Sequence, residues 1–110
     1  MEIIETKQGD ASVFKILGRL DSNTSPDLEE RISETMNNGT INMVLDFEAL
    51  EYISSAGLRI ILKTTKDLKR QNGQLILCSM QDYVREVFEI SGFDSFLPIA
   101  PSLDDALKKF

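Results

Sequence analysis

Two adjacent serines, Ser54 and Ser55, sit in the stretch Glu51-Tyr52-Ile53-Ser54-Ser55-Ala56-Gly57-Leu58-Arg59. The apolar run Met43 to Phe47 precedes them, and an amphipathic segment, Leu58 to Arg70, follows. The serines thus stand where a buried strand hands over to a helix. Two kinds of chemistry are open to Ser55 there. As the helix N-cap, its hydroxyl accepts from the backbone N–H of Gly57 or Leu58. As a phosphoacceptor, it sets a phosphate against free N–H groups and the positive end of the helix dipole. The fold tolerates that phosphate, while the surface gains about −1.5 to −2 charge units. Such a switch works by blocking an interface.

Catalytic readings lack their parts. With no His and one Cys, Ser–His and Cys–His pairs and transition-metal sites are not expected. The serine stretch lacks the first glycine of a nucleophile elbow, and no Gly-Lys-Ser/Thr follows to make a phosphate-binding loop. The reading is therefore of a non-enzyme with no cofactor and no metal. Cys78, in Leu75-Ile76-Leu77-Cys78, reads as a buried strand thiol. The net charge of −6 argues against nonspecific binding to nucleic acid or anionic membrane. Other proteins are the expected partners.

The elements that must position the serines follow from periodicity. Residues 3–6 and 12–17 read as a hairpin around Gly9-Asp10, with Ile4, Val13 or Phe14, Ile16 and Leu17 inward and Gly18 ending the second strand. Asp21 to Ser25 reads as a loop feeding a helix, with Ser25 as N-cap, Pro26 at N1 and Leu28, Ile32 and Met36 on its buried face. Gly39 supplies the left-handed stop. Residues 41–47 form a central strand covered on both faces, and 48–54 a connection. Residues 58–72 form a second helix facing the sheet with Leu58, Ile61, Leu62, Thr65 and Leu68, capped by Gly73. A strand over 75–79 and a helix over 82–91 follow, the helix with Val84, Val87, Phe88 and Ile90 as contacts and Gly92 as its stop. Phe93, Phe96, Leu97 and Ile99 form an apolar segment with an edge strand, and Ser102 caps a last helix, 103–109. The 110 residues read as one α/β domain in the order ββαβαβα(β)α. Its mixed, mostly parallel sheet has four or five strands and about four helices.

In parallel units, loops at the C-terminal strand ends share one side of the sheet. That gathers Asp21, Ser22, Asn23, Thr24, Ser54, Ser55 and Ser79 on one polar rim. Along the second helix, Arg59, Lys63, Lys66 and Arg70 fall in one solvent-side arc, with Lys63–Asp67 available as an i, i+4 pair. Ile60 projects away from the apolar face beside Ala56 and Lys63. The arc reads either as a solvated face or as a contact for an acidic patch on a partner.

Residues 44–58, with Asp46-Phe47 and Ser54-Ser55-Ala56-Gly57-Leu58, resemble the signature of STAS domains, specifically bacterial anti-sigma-factor antagonists. Gly18-Arg19-Leu20-Asp21 resembles that family's Gly-x-Leu/Ile-Asp segment, and Val87-Phe88-Glu89-Ile90-Ser91-Gly92-Phe93 its C-terminal signature. The resemblance implies a STAS-like fold and a partner-switching role. The unphosphorylated protein would bind an anti-sigma factor that is also a serine kinase and so free the sigma factor. Phosphorylation would abolish binding, and a metal-dependent serine phosphatase of the PP2C type would restore it. The family's phosphosite maps onto Ser55, with Ser54 as the alternative, and its loop aspartate onto Asp21. Partner contacts are expected from Asp21, Ser22, Asn23, Thr24, Ser54, Ser55, Ala56, Gly57, Arg59, Ile60 and Lys63. The residue before the phosphosite is often Asp in the family and is Ser54 here. Other functions that fit are a constitutive STAS scaffold or transporter-associated subunit, and a sensor of a nucleotide or anion. A cytoplasmic location is expected, since no export pattern opens the sequence, and a monomer or weak dimer is the expected state.

Overall fold

The computed structural model describes residues 1–95 and 97–110; Phe96, expected in an apolar segment, lies outside the described residues. The elements are β1 (Glu2–Gln8), β2 (Ala11–Leu20), α1 (Ser25–Asn37), β3 (Asn42–Asp46), β4 (Leu50–Ile53), α2 (Ser55–Arg70), β5 (Gln74–Cys78), α3 (Asp82–Ser91), a 3₁₀ turn (Phe93–Ser95), β6 (Ile99–Ala100) and α4 (Leu103–Leu107). The sheet runs β1-β2-β3-β5-β6, and β4 pairs separately with β2. Among the described residues, only the β1–β2 hairpin is antiparallel. The α/β class, hairpin and parallel crossovers match the sequence reading.

Alternation along the central strands separates two cores. Met43 and Leu45 of β3 and Leu75 and Leu77 of β5 join Phe14, Ile16, Leu28, Ile61 and Phe88 in the larger cluster, under α1, α2 and α3. Val44, Ile76 and Cys78 point the other way, to Ala106 and Leu103 of α4. Each large apolar side chain fully buried there contributes about 1.5–3 kcal/mol. Ile4 departs from expectation. It is 42% exposed, because Ile3, not Ile4, pairs with the buried Ile16 and packs against the larger core.

Leu50–Ile53, inside the stretch expected as a connection, form the strand β4. β3 ends opposite Lys15, so the second half of the ten-residue β2 has no neighbour from β3. Leu50–Ile53 fills that gap, pairing with Gly18, Arg19 and Leu20 across an irregularity at Gly18/Arg19. Gly18 therefore does not end β2; its positive φ of 98° lets the strand bend and continue. Glu51 falls in the irregularity, which breaks the period-2 pattern and hides the strand from sequence.

The helix ends differ in detail from expectation. Gly39 is left-handed, as expected of a helix stop. At the end of α2 the left-handed residue is Asn72, not Gly73. The N–H of Gly73 reaches back to Leu68 O at 2.8 Å. A Cβ on Gly73 would lie 2.0 Å from Ile41 O, so glycine is there for close approach. Ile90, expected among the contacts of α3, is 79% exposed. No described helix is long and apolar enough to cross a membrane.

Candidate functional site

The end of β2 delivers Asp21 into a turn that its own carboxylate holds. Asp21 Oδ1 accepts from the N–H groups of Asn23 at 2.9 Å and Thr24 at 3.2 Å. The Thr24 hydroxyl accepts from the Asp21 N–H and donates to Arg19 O, 2.8 Å away. Ser25 is not the N-cap of α1. Thr24 holds that position, Ser25 is the first helical residue, and its hydroxyl donates to Asp21 O at 2.5 Å. Partial desolvation opposes ionisation of Asp21. The Asn23 and Thr24 hydrogen bonds and the Arg19 guanidinium outweigh it and hold the carboxyl below its usual range. Ser22 and Asn23 stand exposed at the tip.

The end of β4 delivers the serines beside this turn. The Ser54 N–H donates to Leu20 O at 2.9 Å, which extends the β2–β4 pairing past Ile53. Asp21 and Ser54 each directly follow one member of the Leu20–Ile53 pair, so the two loops leave the sheet side by side. Ser54, half-buried, is the N-cap: its backbone is extended and its Oγ accepts from the Gly57 N–H at 3.4 Å. Ser55 was expected in that role. It is instead the first residue of α2, exposed, with a hydroxyl not used by the cap. The N–H groups of Ser55 and Ala56 have no helical carbonyl to reach. Gly57, an expected contact residue, is buried, and a Cβ there would come 2.9 Å from side-chain carbons of Ile53 and Leu20. Its role is to let α2 sit down on the two strand ends.

Not all of the expected rim converges. Ser79 follows Cys78, which is in register with Asp46 and through it with Lys15, five residues before Leu20. At about 3.3 Å per residue, Ser79 lies roughly 16 Å back along the sheet. On α2, Arg59 and Lys66 are exposed. Lys63 pairs with Glu29 of α1 at 2.6 Å rather than with Asp67, and that hydrogen bond raises its pKa. Asp67 pairs with Arg70 at 3.1 Å. Ile60 does not project outward; it is partly buried and packs against the larger core.

One pair escaped the sequence reading. Arg19 and Tyr52 are partners across β2 and β4, with the guanidinium carbon 4.2 Å from the ring centroid and Nε 3.8 Å from Asp21 Oδ2. Tyr52 is 41% exposed. The available signal was an aromatic between the buried Leu50 and Ile53, but the pairing that gives it Arg19 depends on the unrecognised β4.

A small α/β protein with a polar rim at two adjoining strand ends is of a kind suited to binding. The family profile for the STAS domain matches residues 2–106, and the chain belongs to that family. It is 43% identical over 93 residues to BtrV of Bordetella bronchiseptica, a candidate anti-sigma factor antagonist, covering 84% of this chain and 80% of that one. It is 28% identical over 99 residues to the anti-sigma-B factor antagonist of Staphylococcus aureus, covering 90% and 92%. Among solved structures, an anti-sigma factor antagonist from Mycobacterium paratuberculosis superposes with a TM-score of 0.90 at 27% identity, covering 98% and 92%.

Proposed function

We propose that this protein is an anti-sigma-factor antagonist that works by partner switching. Unphosphorylated, it binds an anti-sigma factor with serine kinase activity and so releases the sigma factor. Phosphorylation of Ser55 ends that binding, and a PP2C-type phosphatase restores it. The protein acts by binding, not by catalysis, and does so in the cytoplasm as a monomer or weak dimer. Its 110 residues serve as one domain.

The observation that carries the reading is the division of labour between the serines. Ser54 caps α2, while Ser55 stands exposed at its first position, next to the Asp21 turn. A kinase can therefore take the Ser55 hydroxyl without uncapping the helix. The phosphate gains the dipole and two free N–H groups, so the fold is undisturbed. The partner meets a new dianion on the rim it must pack against. The relatives named as anti-sigma factor antagonists support the antagonist role in this reading. Ser54 in place of the family's frequent Asp supplies a cap with no negative charge beside the phosphate.

The test incubates the protein with ATP and, one by one, the purified histidine-kinase-like anti-sigma factors of its source organism. Intact mass and peptide mapping then locate any phosphate. A gain of one phosphate at Ser55, with Ser55→Asp losing the complex and Ser55→Ala keeping it, is the expected result. Binding with no mass gain would favour a constitutive scaffold instead.

A further inference from the structure

We propose that Arg19 and Tyr52 anchor the anti-sigma factor on the side of the rim away from α2. This rests on the function proposed above and extends it to residues outside the serine and aspartate loops. Facing pairs at the ends of β2 and β4 divide cleanly. Leu20 and Ile53 point into the core, whereas Arg19 and Tyr52 point to the opposite face. Both side chains are exposed on that face, Tyr52 at 41% and the Arg19 side chain at 60%, while among the described residues α4 packs around Val13, Val44, Ile76 and Cys78.

The occupant follows from continuity with the rim. Tyr52 precedes Ser55 by three residues on the same strand-to-helix run. Arg19 bridges the Tyr52 ring to the Asp21 carboxylate, at 4.2 Å from the ring centroid and 3.8 Å from Oδ2. A protein touching both Asp21 and Ser55 straddles the buried Leu20–Ile53 pair, and the adjoining pair on the strands, Arg19 and Tyr52, is exposed. Arg19 and Tyr52 are also well suited energetically. Tyr and Arg are enriched among the few residues that dominate protein interfaces, and the stack orders both side chains before the partner arrives. The Arg19 side chain is 60% exposed, and its ion pair with Asp21 is long, at 3.8 Å. The matching surface is an aliphatic patch for the ring beside a carboxylate for the guanidinium.

The test measures binding, by biolayer interferometry, to whichever purified anti-sigma factor of the source organism binds the wild-type protein. Tyr52→Ala and Arg19→Ala are each expected to raise Kd at least tenfold, mostly through faster dissociation. Tyr52→Phe should stay within twofold, as should Ile90→Ala on the exposed face of α3, with all melting temperatures within a few degrees of wild type. If Tyr52→Ala binds within twofold of wild type, the inference is overturned, whatever Arg19→Ala does, since Arg19 would then act only through Asp21. In that case Ser55→Asp still losing binding leaves the proposed function standing. If the wild type binds no anti-sigma factor, both fall together.

Discussion

The two ends of α2 are built to opposite ends. At the C-terminus the chain closes on itself: Gly73 donates back to Leu68 O and lies so close to Ile41 O that no side chain fits. At the N-terminus the closure stops halfway. Ser54 satisfies Gly57 and its carbonyl accepts from Leu58, but Ser55 and Ala56 keep N–H groups without helical partners, and Ser55 faces solvent. One end is spent on stability and the other is left open to contact. Substitutions at the first should therefore unfold the protein, and substitutions at the second should change what it binds.

The largest effect is expected from Gly73→Ala. A Cβ there meets backbone, which cannot give way as a flexible side chain can. A loss of about 3 kcal/mol or more is expected, read as a fall in the chemical denaturation midpoint; an unchanged midpoint would break the contrast between the two ends. Gly57→Ala comes next. Its clash is with side-chain carbons of Ile53 and Leu20 at 2.9 Å, which can shift slightly. About 1–3 kcal/mol is expected, together with weaker partner binding because α2 is displaced at the rim. Ser54→Ala removes a cap and should cost about 1 kcal/mol in thermal melts, with Ser54→Asp recovering it.

Ser55→Asp should move stability by less than about 1 kcal/mol, in the stabilising direction, since an acidic group at the helix start favours the dipole. Calorimetry of this variant beside a binding measurement sharpens the comparison: a stable protein that no longer binds is the expected outcome. The smallest effect is a pH dependence. The folded Asp21 carboxyl titrates below its ordinary value of 3.8, so its stabilising contribution is complete above that value and is lost as pH falls through the lower, folded one. The stability gap between wild type and Asp21→Asn should be flat above about pH 4 and shrink in more acidic buffer. Cys78 offers a control far from the rim. Burial pushes its thiol up to about 11, so alkylation of the native protein at pH 8 should be negligible until denaturant is added.

The helix α3 over Asp82–Ser91, the Gly39 and Gly92 stops and the burial of β3 on both faces were legible in the sequence. Each rests on local chemistry: spacing of apolar residues, or a glycine where φ turns positive. Adjacent serines at a strand-to-helix junction were legible for the same reason, as was the Asp21 turn. Tertiary structure decided the rest. Whether Ser54 or Ser55 caps α2 turns on where the helix begins, and that depends on Ser54 being held extended by Leu20 O. β4 exists because β2 outlasts β3, a fact about two strand lengths far apart in sequence. The stack of Arg19 on Tyr52 and the pairing of Lys63 with Glu29 join residues 33 and 34 positions apart, which only the packing of strands and helices brings together.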